Sequence, residues 1–308
     1  MIIKKIHNKF INFSVIETIM LIKSPLNYIG GKSKILSQII PLFPKKINIF
    51  VDLFTGGANV GINVDAEKII LNDNLTYLVS LYNFFKNVPI QDILNIIHER
   101  ISFFKLNKEN NDGYLKLRLD YNTHKQPIDL FILSAFSFNH QIRFNNKHLF
   151  NTSFGKNRSC YNAKMEQNLI SFVEALHSKN ISISNYDFRN FDFTSLNTYD
   201  FVYCDPPYLI SSASYNDGKR GFTGWSIKEE ISLLSILSDL NKSNINFMLS
   251  NVLEHNQKKN EILLDWIKSE NLYLSNIQNN YKNSSYNKKK KTDSVEVVIS
   301  NYKLNNIR

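Results

Sequence analysis

The chain has 308 residues, enough for one large domain or two domains of ordinary size. Hydrophobic residues make up 43% of it and aromatic residues 13%, so the composition excludes a globally disordered protein. Lys and Arg number 37 against 27 Asp and Glu, which favours a polyanionic partner such as nucleic acid, with lysine-rich, AT-biased coding as the alternative explanation.

The first part of the chain alternates strands and helices. Residues 1–22 are predicted to be an N-terminal extension, since Met20 stands directly before the first motif. A Gly-Gly turn then precedes an amphipathic helix that Pro41 and Pro44 should end. Two strand-turn-helix units in succession predict a parallel, helix-covered sheet. Their segments are 47–64 (strand, glycine turn, helix start), 66–74 (strand ending in Asp73) and 77–87 (helix).

The middle of the chain, residues 79–163, changes character and is predicted to be an inserted recognition module. It has a helical pattern over residues 90–104. Residues 129–159 are aromatic, Asn-rich and basic, with few acids after Asp129, which predicts a surface that faces a negatively charged partner.

The alternation of strands and helices resumes after the module, so the sheet domain is predicted to consist of residues 23–78 and 164–308. Ser226 and Glu229 have the spacing of a capping box. The C-terminal part reads as a hairpin with a basic loop, "KKKK" at 288–291. The predicted segments are helices at 162–178, 226–244 and 259–270, strands at 180–188, 200–204 and 245–250, and the hairpin at 272–303.

The cysteines and histidines argue against several kinds of site. Cys160 and Cys204 are too few for a disulfide framework or a cysteine zinc site, so a reduced, cytoplasmic setting is expected. The histidines lack metal-ligand spacing, and no metal is expected. No apolar run reaches the roughly 18 residues of a membrane span, so no membrane partner is expected.

A glycine turn follows the first strand of the sheet. "VDLFTGGANVG" (51–61) places an acid at a strand end and then glycines that allow a ligand close to the backbone, without a dinucleotide fingerprint or a phosphate loop. Asp73 follows the next strand, where a carboxylate can accept hydrogen bonds from ribose hydroxyls. Together they favour an adenosine-containing cofactor.

"DPPY" (205–208) directly follows the strand "DFVYC". Proline ends a strand, so this stretch is a stiff loop at the edge where open α/β sheets bind ligands. The carboxylate of Asp205 and the carbonyl of Pro206 can accept hydrogen bonds from one amino group, and Tyr208 offers a ring for stacking. The loop therefore predicts a pocket for adenine or a similar amine.

In this order, "NYIGGK" (27–32), "DLFTGG" (52–57), "LND" (71–73), "RFNNKHLFNTSFG" (143–155) and "DPPY" resemble the Dam-like family of adenine-specific DNA methyltransferases. The resemblance runs from Ser24 to the C-terminus. It implies a doubly wound, Rossmann-like α/β sheet with an inserted helical and β-hairpin DNA-recognition domain. It also implies S-adenosylmethionine as cofactor and methyl transfer to the 6-amino group of a flipped adenine in double-stranded DNA.

The resemblance also implies roles for individual residues. Asp205, Pro206 and Tyr208 grip the target base. Tyr28 and Lys32 lie near the methionine part of the cofactor, and Asp73 lies on its ribose. The remaining cofactor positions are the floor formed by Asp52, Phe54, Gly56 and Gly57, the adenine-binding pair Asp187 and Phe188, and Asp205 itself.

The DNA-binding positions match the family less closely. Phe138 corresponds to an aromatic wedge and Arg143 to an arginine that reads guanine. Asn27 stands where relatives carry a lysine, Gln141 replaces an apolar residue and Ser153 replaces a proline. The site is therefore GATC or another short adenine-containing sequence. Asn139 and Asn145 complete the predicted DNA-binding set.

These departures from the GATC pattern favour a restriction–modification setting, with a restriction endonuclease as functional partner. Two other functions stay open at this point. One is methylation of a glutamine amide in protein, which usually has Asn in place of the leading acid. The other is a DNA-binding module that kept the fold but lost its cofactor.

Overall fold

The computed structural model describes residues 21–210, 225–277 and 294–304. Within these ranges, eight strands form a single sheet in the order β3-β2-β1-β4-β5-β8-β7, with β6 paired to β5. The strands are β1 (Ile49–Asp52), β2 (Lys68–Asn72), β3 (Ile181–Ser184), β4 (Phe201–Cys204), β5 (Asn246–His255), β6 (Lys258–Lys259), β7 (Tyr273–Asn276) and β8 (Ser294–Ser300).

The pairing within the sheet is parallel from β3 through β2, β1 and β4 to β5. Strand β8 then pairs antiparallel with both β5 and β7. The predicted doubly wound α/β sheet and its C-terminal hairpin are thus confirmed, while the basic loop at 288–291 lies outside the described residues.

Eight α-helices accompany the sheet within the described ranges. Asn110 and Asn162 cap α4 and α6, and the predicted capping box of Ser226 and Glu229 opens α7. The helices are α1 (Leu36–Ile39), α2 (Thr76–Asn87), α3 (Ile90–Phe103), α4 (Asn111–His124), α5 (Pro127–Phe136), α6 (Ala163–Ser178), α7 (Ile227–Lys242) and α8 (Glu261–Ser269).

Two predicted helices are wrong in extent. The segment after the Gly-Gly turn forms only α1, which is four residues long, between 3-10 turns at Lys32–Lys34 and Ile40–Leu42. Pro41 lies inside the second turn rather than after a helix, because the first positions of a helical turn do not need its missing N–H. The helix predicted to start after the second glycine turn is the 3-10 turn Gly61–Asn63.

The sheet is buried on both faces because neighbouring residues of each strand point in opposite directions. Phe50 and Phe201 join the apolar cluster under α2, α5 and α6, whereas Val51 and Val202 join the cluster under α7 and α8. The strands therefore read as continuous apolar runs, and the fold has three layers, helix, sheet and helix.

The segment between β2 and β3 contains the predicted recognition module. Its helices belong to the same apolar cluster as one face of the sheet. The loop after α5 folds back on itself through two isolated antiparallel bridges, Ser137 with Phe154 and Phe144 with Phe150. The boundary predicted at residue 79 falls inside α2, and the division into domains stays a prediction.

Candidate active site

A cavity that opens to solvent lies at the carboxyl ends of β1 and β4, and its empty space, with the solvent at its mouth included, is about 990 Å³. These two strands are neighbours at the point where the strand order reverses, which is where doubly wound sheets bind ligands. The loops after all four strands β1 to β4 contribute to its lining, together with the Gly-Gly turn and Trp225.

The glycine turn after β1 forms one wall and is fixed from two sides. Gly56 has a φ of +47°, and a Cβ there would lie 3.0 Å from the ring of Tyr28. Its N–H donates to Asp73 Oδ2 at 2.8 Å, and its carbonyl accepts a hydrogen bond from Tyr82 OH at 2.6 Å. Glycine at this position therefore lets Tyr28 pack directly on the turn.

Asp52 and Asp73 line the cavity at the ends of β1 and β2. Burial raises the pKa of Asp52 to about 8, although the Gly61 N–H that donates to its Oδ2 at 3.0 Å acts in the opposite direction. Burial raises the pKa of Asp73 to about 6, against hydrogen bonds from the N–H groups of Leu75 and Gly56. The cavity therefore holds two carboxyl groups that a bound cation would favour in the ionised form.

One end of the cavity is aromatic. The ring centroid of Phe188 lies 5.4 Å from that of Phe54 and 5.5 Å from that of Trp225. Asp187 pairs with Arg189 at 2.7 Å, and the hydrogen bonds from Arg189 lower the pKa of the Asp187 carboxyl. The predicted pair Asp187 and Phe188 thus lines the cavity in two ways, with Phe188 as an apolar wall and Asp187 as half of an ion pair.

The other end of the cavity is the corner after β4. Asp205 Oδ1 lies 2.7 Å from Lys32 Nζ and accepts a hydrogen bond from Tyr208 OH at 3.1 Å. Lys32 Nζ also donates to Tyr208 OH at 2.7 Å. Burial raises the pKa of Asp205, although Lys32 acts against this shift. Pro206, the first proline of the stiff loop predicted from "DPPY", is buried. The residue before it, Asp205, lines the inner edge of the cavity.

The predicted DNA-binding residues lie together in the loop after α5. Phe138 is 43% exposed, and the guanidinium of Arg158 stacks 4.9 Å from its ring centroid. Arg143 and Ser153 are exposed, and Gln141 is partly exposed. Residues 138–159 contain four Lys or Arg and no acid.

Two asparagines of this predicted set have structural contacts in the loop. Asn145 Oδ1 accepts hydrogen bonds from the N–H groups of Lys147 and Leu149, so its side chain stabilises the loop's tip. The carbonyl of Asn139 accepts a hydrogen bond from Asn27 Nδ2 at 3.0 Å. Because Asn27 directly precedes Tyr28, this bond joins the recognition loop to the rim of the cavity.

Sequence reasoning missed several residues that build the site. Asn72 is fully buried and donates to the carbonyls of Leu53 and Tyr186, which ties the loops after β1 and β3 together. An amide inside the apolar run "IILND" was the available signal. Glu230 is fully buried and accepts a hydrogen bond at 2.6 Å from the indole N–H of Trp225, which fixes that wall of the cavity.

Glu230 had no usable signal in the sequence, because its partners come from distant segments. Its Oε1 accepts hydrogen bonds from the side chains of Asn251 and Asn260 at 3.1 and 3.0 Å. With the indole N–H of Trp225, three donors satisfy this buried carboxylate, as a buried charge requires. Glu296, near Tyr208, was missed for the same reason.

Among the described residues, no group of three or more His, Cys, Asp and Glu is arranged to hold a metal ion. In the same ranges, no helix has both the length and the apolar character needed to cross a membrane.

The fold and the site define an α/β protein of the doubly wound class, with a cavity at the carboxyl ends of its parallel strands that ends at the half-buried carboxylate of Asp205. The family model of the D12 class N6 adenine-specific DNA methyltransferase matches residues 28–281, well over half of the chain. The chain therefore belongs to this family of adenine-specific DNA methyltransferases.

Individual relatives agree with this assignment. Modification methylase StsI of Streptococcus sanguinis is 48% identical over 299 residues, which cover 97% of this chain and 46% of that protein. Type II methyltransferase M.FokI of Planomicrobium okeanokoites is 47% identical over 295 residues, 96% of this chain and 45% of that protein. A DNA adenine methylase of Haemophilus influenzae is 30% identical over 226 residues, 71% of this chain and 73% of that protein. The chain thus spans a little under half the length of the first two relatives.

Proposed function

We propose that this chain transfers a methyl group from S-adenosylmethionine to the 6-amino group of adenine in a short site of duplex DNA. The observation that carries the proposal is a cavity with an aromatic wall at one end and the half-buried carboxylate of Asp205, supported by Lys32 and Tyr208, at the other. Membership in a family of adenine-specific DNA methyltransferases supports the same reaction.

The residues around the cavity suit S-adenosylmethionine. Phe54, Phe188 and Trp225 offer apolar faces to a purine, and Asp73 offers a carboxylate for ribose hydroxyls. The carboxyl groups of Asp52, which is buried, and of Asp205, which is half-buried, suit a ligand that carries positive charge. When bound, the cofactor supplies an electrophilic methyl group on a sulfonium.

The groups of the chain that hold the target base are those of the corner after β4. Asp205 and the carbonyl of Pro206 each accept a hydrogen bond from one N–H of the amine. These two hydrogen bonds fix the orientation of the amine, so that its nitrogen lone pair points towards the methyl donor. Tyr208 stacks on the base. Because burial raises the pKa of Asp205, this carboxylate is a better proton acceptor than an exposed one and suits the proton that the amine must lose.

A base in a duplex reaches this corner only after it leaves the stack, which costs a few kcal/mol. The exposed Phe138 suits a wedge that fills the opened helix, and the exposed Arg143 suits a guanine in the major groove. The basic loop around both residues suits the phosphate backbone. The recognised sequence is GATC or another short adenine-containing site.

The relatives named modification methylases support a role in restriction–modification, with a restriction endonuclease of matching site as functional partner. Cys160 and Cys204 are both free thiols, which suits the cytoplasm, where the DNA substrate lies. A gene for such an endonuclease beside this one would support the pairing, and its absence from the whole genome would count against it.

The test is transfer of a tritiated methyl group from S-adenosylmethionine to duplex DNA by the purified protein. We expect Asp205→Ala to lower the transfer rate by roughly 1,000-fold or more, while calorimetry shows cofactor binding within a few-fold of the wild type. The exposed Asp265→Asn serves as the matched control and should keep full activity. A wild-type protein that binds the cofactor and leaves every DNA unlabelled would refute the proposal.

A further inference from the structure

Glu296 on β8 lies beside the corner that holds Asp205. Its side chain is 9% exposed, and its Oε1 lies 3.3 Å from Tyr208 OH. The other oxygen, Oε2, is buried and has no hydrogen-bond partner within the described ranges. An ionised carboxylate with a buried, unpaired oxygen is costly, so the protonation state of Glu296 has to follow from its neighbours.

Lys32 uses all three of its ammonium protons without reaching Glu296. They are donated to Asp205 Oδ1 at 2.7 Å, to Tyr208 OH at 2.7 Å and to the carbonyl of Gly30 at 3.2 Å. The negative charge of Asp205 is therefore balanced by direct contact, while a charge on Glu296 would have no such contact.

Tyr208 has one hydroxyl proton, and two carboxyl groups of the described residues lie near it. Its oxygen lies 3.1 Å from Asp205 Oδ1 and 3.3 Å from Glu296 Oε1. Both distances exceed the roughly 2.7–2.8 Å of an ordinary O–H···O bond, as expected where one proton faces two acceptors. If both carboxyl groups were ionised, Glu296 would be the one left without a donor.

We propose that Glu296 is a positioning residue that works as a neutral acid and acts through Tyr208. It donates its proton to the Tyr208 oxygen, Tyr208 donates its own proton to Asp205 Oδ1, and Lys32 completes the group. Every proton of this group then has an acceptor, and the positive charge of Lys32 balances the negative charge of Asp205. The hydrogen-bonded chain fixes the carboxylate that, under the proposed function, receives the target amine.

The surroundings of Glu296 agree with a neutral acid. Among the residues that the structure describes, the charged or titratable groups that face it are Lys32 from the N-terminal segment and Asp205 with Tyr208 from the loop after β4. Its neighbours across the sheet are apolar, Val252 opposite on β5 and Ile277 after β7. Burial and the nearby Asp205 raise the pKa of Glu296, and Lys32 acts against them.

The first test compares two substitutions of Glu296, and its activity readout rests on the proposed function. In Glu296→Gln the amide N–H replaces the donated proton, so we expect kcat within about threefold of the wild type, whereas Glu296→Ala should lose about 10- to 50-fold. Cofactor affinity should stay unchanged in both. If Glu296 worked as an ionised acceptor, Gln would lower kcat as far as Ala, and this outcome would overturn the inference.

The second test asks whether Glu296 acts through the Tyr208 hydroxyl. In a Tyr208→Phe background we expect Glu296→Ala to lower kcat by no more than about twofold, because the two substitutions break one chain of bonds. Losses that multiply would mean that Glu296 acts independently of Tyr208, contrary to the inference.

The third test needs no methyl transfer. Difference infrared spectroscopy at neutral pH should show the carbonyl stretch of a protonated carboxylic acid in the wild type that Glu296→Gln removes. Glu67→Gln, at an exposed glutamate, is the matched control and should leave that band intact. Loss of an ionised-carboxylate band in Glu296→Gln instead would refute the neutral acid. A protein with the acid band but no activity on DNA would refute the proposed function alone.

Discussion

Replacing Asp52 by Asn should make the stability of the protein less sensitive to alkaline pH. In the wild type the pKa of Asp52 rises from about 4 in the unfolded chain to about 8 in the fold. Between these values the folded state binds more protons than the unfolded state, so the free energy of unfolding falls as the pH rises. Asn is neutral throughout, and its side-chain oxygen can still accept the hydrogen bond from Gly61.

The size of the effect follows from the pKa shift. Each pH unit inside the window contributes about 1.4 kcal/mol, and the contribution fades as the pH reaches the folded pKa. Between pH 6 and pH 8 the stability of Asp52→Asn should therefore rise relative to the wild type by about 2 kcal/mol. This pH range lies above the pKa of Asp52 in the unfolded chain and extends up to its raised pKa in the folded protein.

Urea unfolding at a series of pH values, followed by circular dichroism, measures this difference. Groups that titrate equally in both proteins contribute equally to the pH dependence of both unfolding free energies, so their contributions cancel in the difference. Asp265→Asn, at an exposed carboxylate on α8, should give a curve parallel to the wild type. Parallel curves for Asp52→Asn as well would show that Asp52 is ionised in the fold at neutral pH, and the reasoning from burial would be wrong.

Three further predictions concern the cavity, the turn and the recognition loop. S-Adenosylmethionine should change the indole fluorescence of the wild type and of Trp266→Phe, and a change that persists in Trp225→Phe would remove Trp225 from the binding site. Gly61→Ala should destabilise the fold by about 1–3 kcal/mol in urea, since its Cβ would lie 2.3 Å from Leu71 Cδ2; an unchanged midpoint would contradict this. Arg143→Ala should relax or abolish site choice in single-molecule sequencing of methylated DNA, and an unchanged set of sites would exclude Arg143 from recognition.

The sequence was sufficient for the strands and the order of the motifs. Runs such as "FVYC" are apolar at every position, which fits strands covered on both faces, and the parallel pairing of β1 to β5 followed from their alternation with helices. The sequence was a weaker guide to helices that are stabilised mainly by tertiary contacts. Helix α4 lacks a clear apolar stripe, and Gly113 in its first turn packs so closely against Phe104 that a Cβ would lie 2.1 Å from its carbonyl oxygen.

The sequence alone determined the chemical groups of the site, because their types and their places at strand ends are local properties. Asp52, Asp73 and Asp205 each follow an apolar run, and parallel strands bring their carboxyl ends to one edge. Only the tertiary structure decided which groups touch. The contacts of Lys32 with Asp205 and of Glu296 with Tyr208 join segments far apart in the chain, and hydrogen bonding and burial at those contacts set the charge of each group.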